Sequence, residues 1–296
     1  MGWPDNGGPA RGGSAEVGTL NLNTIEDVQS AAAIENGSLA WQEGDSWLAG
    51  GTWLFSEPQP HVRRLLDLRQ LGWPPLEATE SGLRIAATCT IAELYAFAGP
   101  PAWTAAPMID ECCRAFLSSF KIWHFATVGG NICMSLPAGP MISLTSSLEA
   151  VYTLKAVDGS ERTVRAVDFV TGSHQNVLQP GELLRSIEIP ASALRKRAAF
   201  RRVSLTHLGR STALLIGTAA APDEQFLLTI TAATPHPVQI AFPTVPDAAT
   251  LNARLLAEIP DDGYFDDVHG APDYRKHMTR YFAEQIRAEL AGVPVA

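Results

Sequence analysis

The chain has 296 residues, enough for two domains at roughly 150 residues each. Apolar residues make up 46% and charged residues 18%, the balance of an ordinary folded protein that needs no disulfide or structural metal. The net charge of −9 argues against a nucleic-acid or anionic-membrane partner, since either calls for a basic face.

Residues 1–18 read as a Gly- and Pro-rich disordered tail without the apolar stretch of a signal peptide. A short strand is expected at 19–22. Thr24 then opens a helix with Asp27 three residues on, an apolar stripe of Ile25, Val28 and Ala32, and Gly37 at its close. Strands follow at 46–49 (SWLA), 64–68 (RLLDL) and 83–87. The Thr90–Glu93 pair forms a capping box for a helix to about residue 97, and a further helix covers 107–116. Strands at 148–157 and 162–167 flank Asp158-Gly159, a common hairpin turn. The strand at 183–189 ends at Pro190. Arg195, Lys196 and Arg197 look like a surface linker, which puts the domain boundary near 192–198. Beyond it come strands at 200–205, 213–219 and 226–232. A last helix over 273–290 follows Pro272, with Tyr274, His277, Tyr281, Ile286 and Leu290 approximating one apolar face. No apolar run reaches the roughly 18 residues of a membrane span.

Two glycine pairs carry the chemistry. Trp47-Leu48-Ala49-Gly50-Gly51-Thr52-Trp53 and Thr127-Val128-Gly129-Gly130-Asn131 each follow an apolar lead-in. A diphosphate needs several backbone N–H groups at close range, and a Cβ obstructs that approach. Thr52, Thr127 and Asn131 add side-chain hydrogen bonds. Taken singly, each Gly-Gly also reads as a tight turn. Neither a GxGxxG fingerprint nor a GxxxxGK[ST] loop occurs. Trp47, Trp53 and Trp123 lie beside the loops, either lining a ligand or packing in the core.

AGGTW at 49–53 and TVGGN at 127–131 resemble the two FAD-diphosphate loops of the flavoprotein subunit of molybdenum hydroxylases, most of all the xanthine dehydrogenase branch. The resemblance continues in family order through Leu66-Asp67-Leu68, the ATCTIAE run at 87–93, QPGELLRSIEIP at 179–190, Phe200-Arg201-Arg202 and the DYRKH run at 273–277. It implies an α+β fold: a two-part FAD-binding domain of the vanillyl-alcohol-oxidase type over 19–195, in subdomains 19–72 and 73–195. A small α/β C-terminal domain of antiparallel sheet plus helices would follow over 196–296, as in carbon monoxide dehydrogenase flavoproteins. It also implies that FAD is held by both loops, with Leu184 packing near the flavin and Arg201 reaching the cofactor from the second domain. The implied partners are a large subunit with a molybdenum cofactor and a small subunit with [2Fe–2S] clusters, with NAD⁺ as acceptor. The chain departs from the family at 133–140, where Met134 and Pro140 stand in place of a hydroxyl residue and an aspartate. It departs again over THLGRSTA at 206–213.

The remaining constellations read as structure. Cys112-Cys113 with His124 suggests buried or surface thiols. The four cysteines, Cys89, Cys112, Cys113 and Cys133, have no CxxC spacing and fit reduced thiols in a cytoplasm. Asp261, Asp262, Asp266, Asp267 and His269 read as a solvated acidic turn, so no metal and no catalytic side chain is expected. The leading function is an FAD electron-transfer subunit. The alternatives are a stand-alone FAD-dependent reductase or oxidase, and a flavin-free structural subunit.

Overall fold

β1 (Asp27–Ser30), β2 (Asp45–Leu48) and β3 (Arg64–Asp67) form a parallel sheet in the order β1-β3-β2. This computed structural model describes residues 24–220 and 225–293, so the strand expected at 19–22 lies outside it. The helix expected from Thr24 is absent. The Thr24 hydroxyl donates instead to the carbonyl of Gln59 at 3.1 Å, and Asp27–Ser30 pair residue by residue with Arg64–Asp67. Only Ala31–Ile34 turn helically, as one 3-10 turn capped by Ser30. A lone short helix is marginal in water, and the ladder to β3 outweighs it. Arg64 ties the sheet laterally with a forked bond to the Asp45 carboxylate, at 2.7 and 2.6 Å.

The second body begins with the hairpin β4 (Leu76–Thr79) and β5 (Gly82–Ala86). Helices α1 (Ile91–Tyr95), α2 (Pro107–Ala115), α3 (Phe120–Trp123), α4 (Val128–Cys133) and α5 (Pro140–Ser147) follow. β6 (Val151–Lys155), β7 (Glu161–Arg165), α6 (Ala166–Phe169), the small hairpin β8 (Val170–Gly172) and β9 (Gln175–Asn176), β10 (Leu183–Pro190) and α7 (Ala191–Leu194) complete it. The main sheet is antiparallel, β4-β5-β10-β6-β7, and buries Ile85, Tyr152, Leu154 and Ile187 against α4, α5 and α6. The expected capping box is formed: Thr90 Oγ1 accepts from Glu93 N at 3.2 Å, and the Glu93 carboxylate accepts from Thr90 N at 2.8 Å. Thr90→Ala is expected to cost about 1 kcal/mol, read as a lower urea midpoint with unchanged slope.

The C-terminal sheet is an antiparallel meander of β11 (Arg197–Val203), β12 (Ala213–Ala219), β13 (Phe226–Thr231) and β14 (Val238–Phe242). Helices α8 (Ala248–Glu258) and α9 (Pro272–Leu290) cover one face. The fully buried α5 covers the other, with the Ser143 and Thr231 hydroxyls 2.6 Å apart. β12 and β13 are buried on both sides, which is why they read as unbroken apolar runs. The 195–197 segment is no loose linker. Lys196 is buried in an ion pair with Glu149, Thr104 donates to the carbonyls of Arg195 and Lys196, and Arg197 donates to the carbonyl of Leu290. On α9 the expected apolar face is also corrected. Tyr274 and Tyr281 are exposed, and the buried stripe is Arg275, Thr279, Phe282, Ala283, Ile286 and Leu290. A buried arginine within a helical stripe hides it from a count of apolar residues.

Candidate functional site

β2 delivers the first glycine loop at the carboxyl edge of the parallel sheet. Gly50 packs so tightly that an added Cβ would lie 1.8 Å from the carbonyl oxygen of Phe125. Gly51 has φ +69°, a left-handed conformation that glycine adopts without strain. Phe55 N donates to Gly51 O at 2.9 Å and Ser56 N to Trp53 O at 2.9 Å, closing the turn from behind. Among the described residues, no protein acceptor meets the amides of Gly50, Gly51, Thr52 and Trp53. A run of amides left open in a turn with one left-handed residue forms a concavity for an anion.

The second loop is built differently, as the entry to α4. Val128 N donates to Cys89 O at 2.8 Å, Gly129 N to Ala87 O at 2.9 Å, and Asn131 N to Thr127 O at 3.0 Å. Gly130 N donates to Thr127 Oγ1 at 3.0 Å. All four amides are spent within the protein, so this loop offers no backbone cradle. Gly129 is glycine for packing, since a Cβ would sit 2.5 Å from the Ala87 Cβ. At Gly130 a Cβ would meet only Thr127 Oγ1, at 2.8 Å, and otherwise open space. Asn131 Oδ1 accepts from Met141 N at 3.1 Å, which fixes the side chain and leaves its NH₂ group as a donor.

Both loops line one cleft of about 690 Å³. Of the residues singled out in the sequence, 47–53, Thr127, Gly130 and Asn131 line it. Val128, Gly129, Leu184 and Arg201 do not. Val128 and Leu184 are buried in the core of the second body. Arg201 points to α9, bonding Gln285 at 2.9 Å and Glu289 at 2.7 Å. Arg202 takes the opposite face with Phe200, donating to Ser211 Oγ at 2.7 Å and to Gly209 O at 2.5 Å, and burial pulls its guanidinium below the usual arginine range. Trp47 donates its indole N–H to Glu182 O at 2.9 Å, so it is both lining and brace. Trp123 packs against the core and stacks edge-on with Tyr95.

The far wall is formed by Leu208, Arg210 and Ser211 from the β11–β12 connection and by Ile122 and Leu136. The first three lie in the 206–213 segment and Leu136 in the 133–140 segment, the two places where the chain departs from the family pattern, whereas Ile122 carries no local signal. Pro140 also lines the cleft, as the first residue of α5, where the lost N–H costs nothing. The titratable side chains on the lining are Cys133 and Arg210. Burial pushes the Cys133 thiol up to about 12, so it stays protonated and is neither base nor nucleophile at neutral pH. Cys112 and Cys113 are buried and likewise raised by burial. Among the described residues, no three His, Cys, Asp or Glu side chains group as metal ligands, and no helix is long and apolar enough to cross a membrane.

A family model described as the FAD binding domain in molybdopterin dehydrogenase matches residues 23–192, more than half of the chain. The chain belongs to that family. Its cofactor is FAD. The β subunit of caffeine dehydrogenase from Pseudomonas sp. (strain CBB1) is 36% identical over 101 residues, 34% of either chain. The carbon monoxide dehydrogenase medium chain of Afipia carboxidovorans is 34% identical over 84 residues, 28% of either chain. Xanthine dehydrogenase of Oryza sativa subsp. japonica is 29% identical over 121 residues, 39% of this chain and 9% of that one. These matches span about a third or less of the relatives' length. In fold, the chain is similar to reconstituted CO dehydrogenase from Oligotropha carboxidovorans, with a TM-score of 0.74 and 21% identity over 91% of this chain and 98% of that one. Quinoline 2-oxidoreductase from Pseudomonas putida 86 follows at 0.72 and 18%, over 90% and 96%. The architecture is thus α+β, as in those chains.

The residues present fit FAD. A cleft of this volume suits a ligand of cofactor size, the open amides of 50–53 suit a diphosphate, and Gly130 leaves room that a side chain would fill.

Proposed function

We propose that this chain is the FAD-carrying electron-transfer subunit of a molybdenum hydroxylase of the xanthine dehydrogenase type. In this reading it takes electrons from [2Fe–2S] clusters of a small partner and passes them to NAD⁺. Substrate is oxidised at the molybdenum cofactor of a large partner, and the complex works in the cytoplasm, where the four free thiols stay reduced. The observation that carries the reading is the cleft itself: its lining holds no carboxylate and no imidazole. Acid–base chemistry on a substrate needs such a group within hydrogen-bond reach, so the lining suits a binding role. FAD, when bound, supplies the redox chemistry, and the protein supplies position and exclusion of water. The amides of 50–53 would hold the diphosphate, the Asn131 NH₂ group and Thr127 would orient it, and Arg202 braces the 206–211 loop that forms the far wall. The relatives' names differ in substrate, from caffeine and xanthine to carbon monoxide, while all match this chain. That spread supports a substrate chosen elsewhere in the complex, and the first two favour a purine.

The test is activity of the chain alone. Loaded with FAD and free of molybdenum, it should hydroxylate no xanthine, hypoxanthine or aldehyde, while NADH-dependent dye reduction persists. Hydroxylation by the isolated chain would contradict the proposal. A second expectation separates the paired arginines. Arg202→Ala removes two hydrogen bonds from a charged donor, each worth about 1.5–3 kcal/mol, and should weaken FAD retention about tenfold through the loosened loop. Arg201→Ala should leave FAD dissociation unchanged, because that side chain bonds to α9. Dissociation constants of the two variants measured side by side decide the point.

A further inference from the structure

Beside the cofactor cleft lies a smaller pocket of about 160 Å³, sharing Leu136, Ala138, Arg210 and Ser211 with it. Its other walls include His174 and His269, with the buried Arg275 at its base. The charges here pair unevenly. Arg275 is paired with Asp267, and Asp266 lies near it. Arg210 has neither carboxylate partner nor protein hydrogen bond among the described residues. Arg202 stands behind the pocket, also without a carboxylate, and its Nε–H donates to Ser211 Oγ at 2.7 Å. With that oxygen accepting from a cation, the Ser211 proton remains to be donated. In a chain of net charge −9, this recess gathers the exposed Arg210 guanidinium without a protein partner, a polarised hydroxyl and two imidazoles, beside the Arg275–Asp267 pair.

We propose that this pocket is an anion subsite for a phosphate-type group, with Arg210 and Ser211 as the donors. Its volume falls below the range for a drug-sized ligand, so it takes a phosphate-sized group and neither a nucleoside nor a ring system. Because it shares Arg210 and Ser211 with the cofactor cleft, the group it holds is either a phosphate of FAD turned toward it or part of a second, separate ligand seated beside it. A planar, always-charged guanidinium beside a hydroxyl donor suits a phosphate oxygen pair. The pocket is made by its own residues, and an anion there does not depend on the electron-transfer role.

The test is calorimetric titration of inorganic phosphate into the full chain at constant ionic strength, with and without saturating FAD. Arg210→Gln is the variant, Arg210→Lys the charge-keeping rescue, and Arg254→Gln, which loses only a surface pair with Glu258, the control. Arg210 makes no protein bond, so its loss should leave the fold intact. Phosphate binding to the FAD-loaded chain, weakened tenfold or more in Arg210→Gln and partly restored in Arg210→Lys, supports the subsite and assigns it to a separate ligand. Phosphate displaced by FAD, together with FAD affinity lowered in Arg210→Gln, supports the subsite and assigns it to a phosphate of FAD. Phosphate and FAD binding that are the same in Arg210→Gln as in the parent and the control would overturn it. Failure of FAD to bind would count against the flavin reading alone, since the phosphate arm in the flavin-free chain still reports on Arg210.

Discussion

Gly130→Val is expected to purify folded and without FAD. The residue has ordinary helical backbone angles, and the nearest atom to an added Cβ is Thr127 Oγ1, at 2.8 Å. Turning that hydroxyl aside loses the cap on Gly130 N, a cost of about 1 kcal/mol that a domain of this size survives. The branched side chain then projects into the cleft beside Asn131, where the cofactor must lie. The other glycines answer differently. Gly50→Val meets the Phe125 backbone and Gly129→Val meets the Ala87 backbone, neither of which can swing away, so both should fail to fold. Gly51→Val is strained by φ +69° and strikes the Phe55 ring, and should lose both stability and FAD. Circular dichroism and flavin content of the four variants separate these outcomes. Full flavin occupancy in Gly130→Val would mean that the second loop does not face the cofactor.

Arg275→Met is expected to be the most destabilising change outside the apolar core, by about 3–5 kcal/mol. The guanidinium is 1% exposed and joins three chain segments: it donates to Gly270 O at 2.9 Å, to Thr212 O at 2.5 Å and to Ala232 O at 2.6 Å, and it pairs with Asp267. Methionine fills the space but leaves a carboxylate without its cation and three buried carbonyls without a donor. The Asp267→Asn, Arg275→Met double variant should recover part of the loss, because one uncompensated charge goes with the other. Denaturant midpoints for the single and double variants check both statements.

What the sequence disclosed was local chemistry. The Thr90–Glu93 box, the Asp158-Gly159 turn and the apolar strand into Gly50 each depend on neighbours a few residues away, and each is formed. What stayed hidden depends on distant partners. β1 is a strand because β3 lies beside it, against the helical pattern of its own residues. Arg201 bonds α9, and neither arginine of the pair lines the cleft, for a similar reason. β11 is flanked by apolar neighbours on both faces, Ala198 and Phe200 toward the second body and Ala199 toward α9, so alternation alone cannot say which arginine faces the cofactor. The second glycine loop resembles the first in letters and differs in bonding, because the turn after β5 claims the amides of Val128 and Gly129. The small pocket beside the cleft stayed hidden too, because His174, His269 and Arg275 reach it from segments far apart in the chain.

If the first loop's open amides grip a diphosphate, FAD is held by its phosphates as much as by its ring. Equilibrium titration of the flavin-free chain with FAD and with riboflavin tests this most directly. FAD should bind one to one, and riboflavin, which carries the same ring without phosphate, should bind weaker by a hundredfold or more, about 2.7 kcal/mol. Riboflavin binding as tightly as FAD would contradict the account.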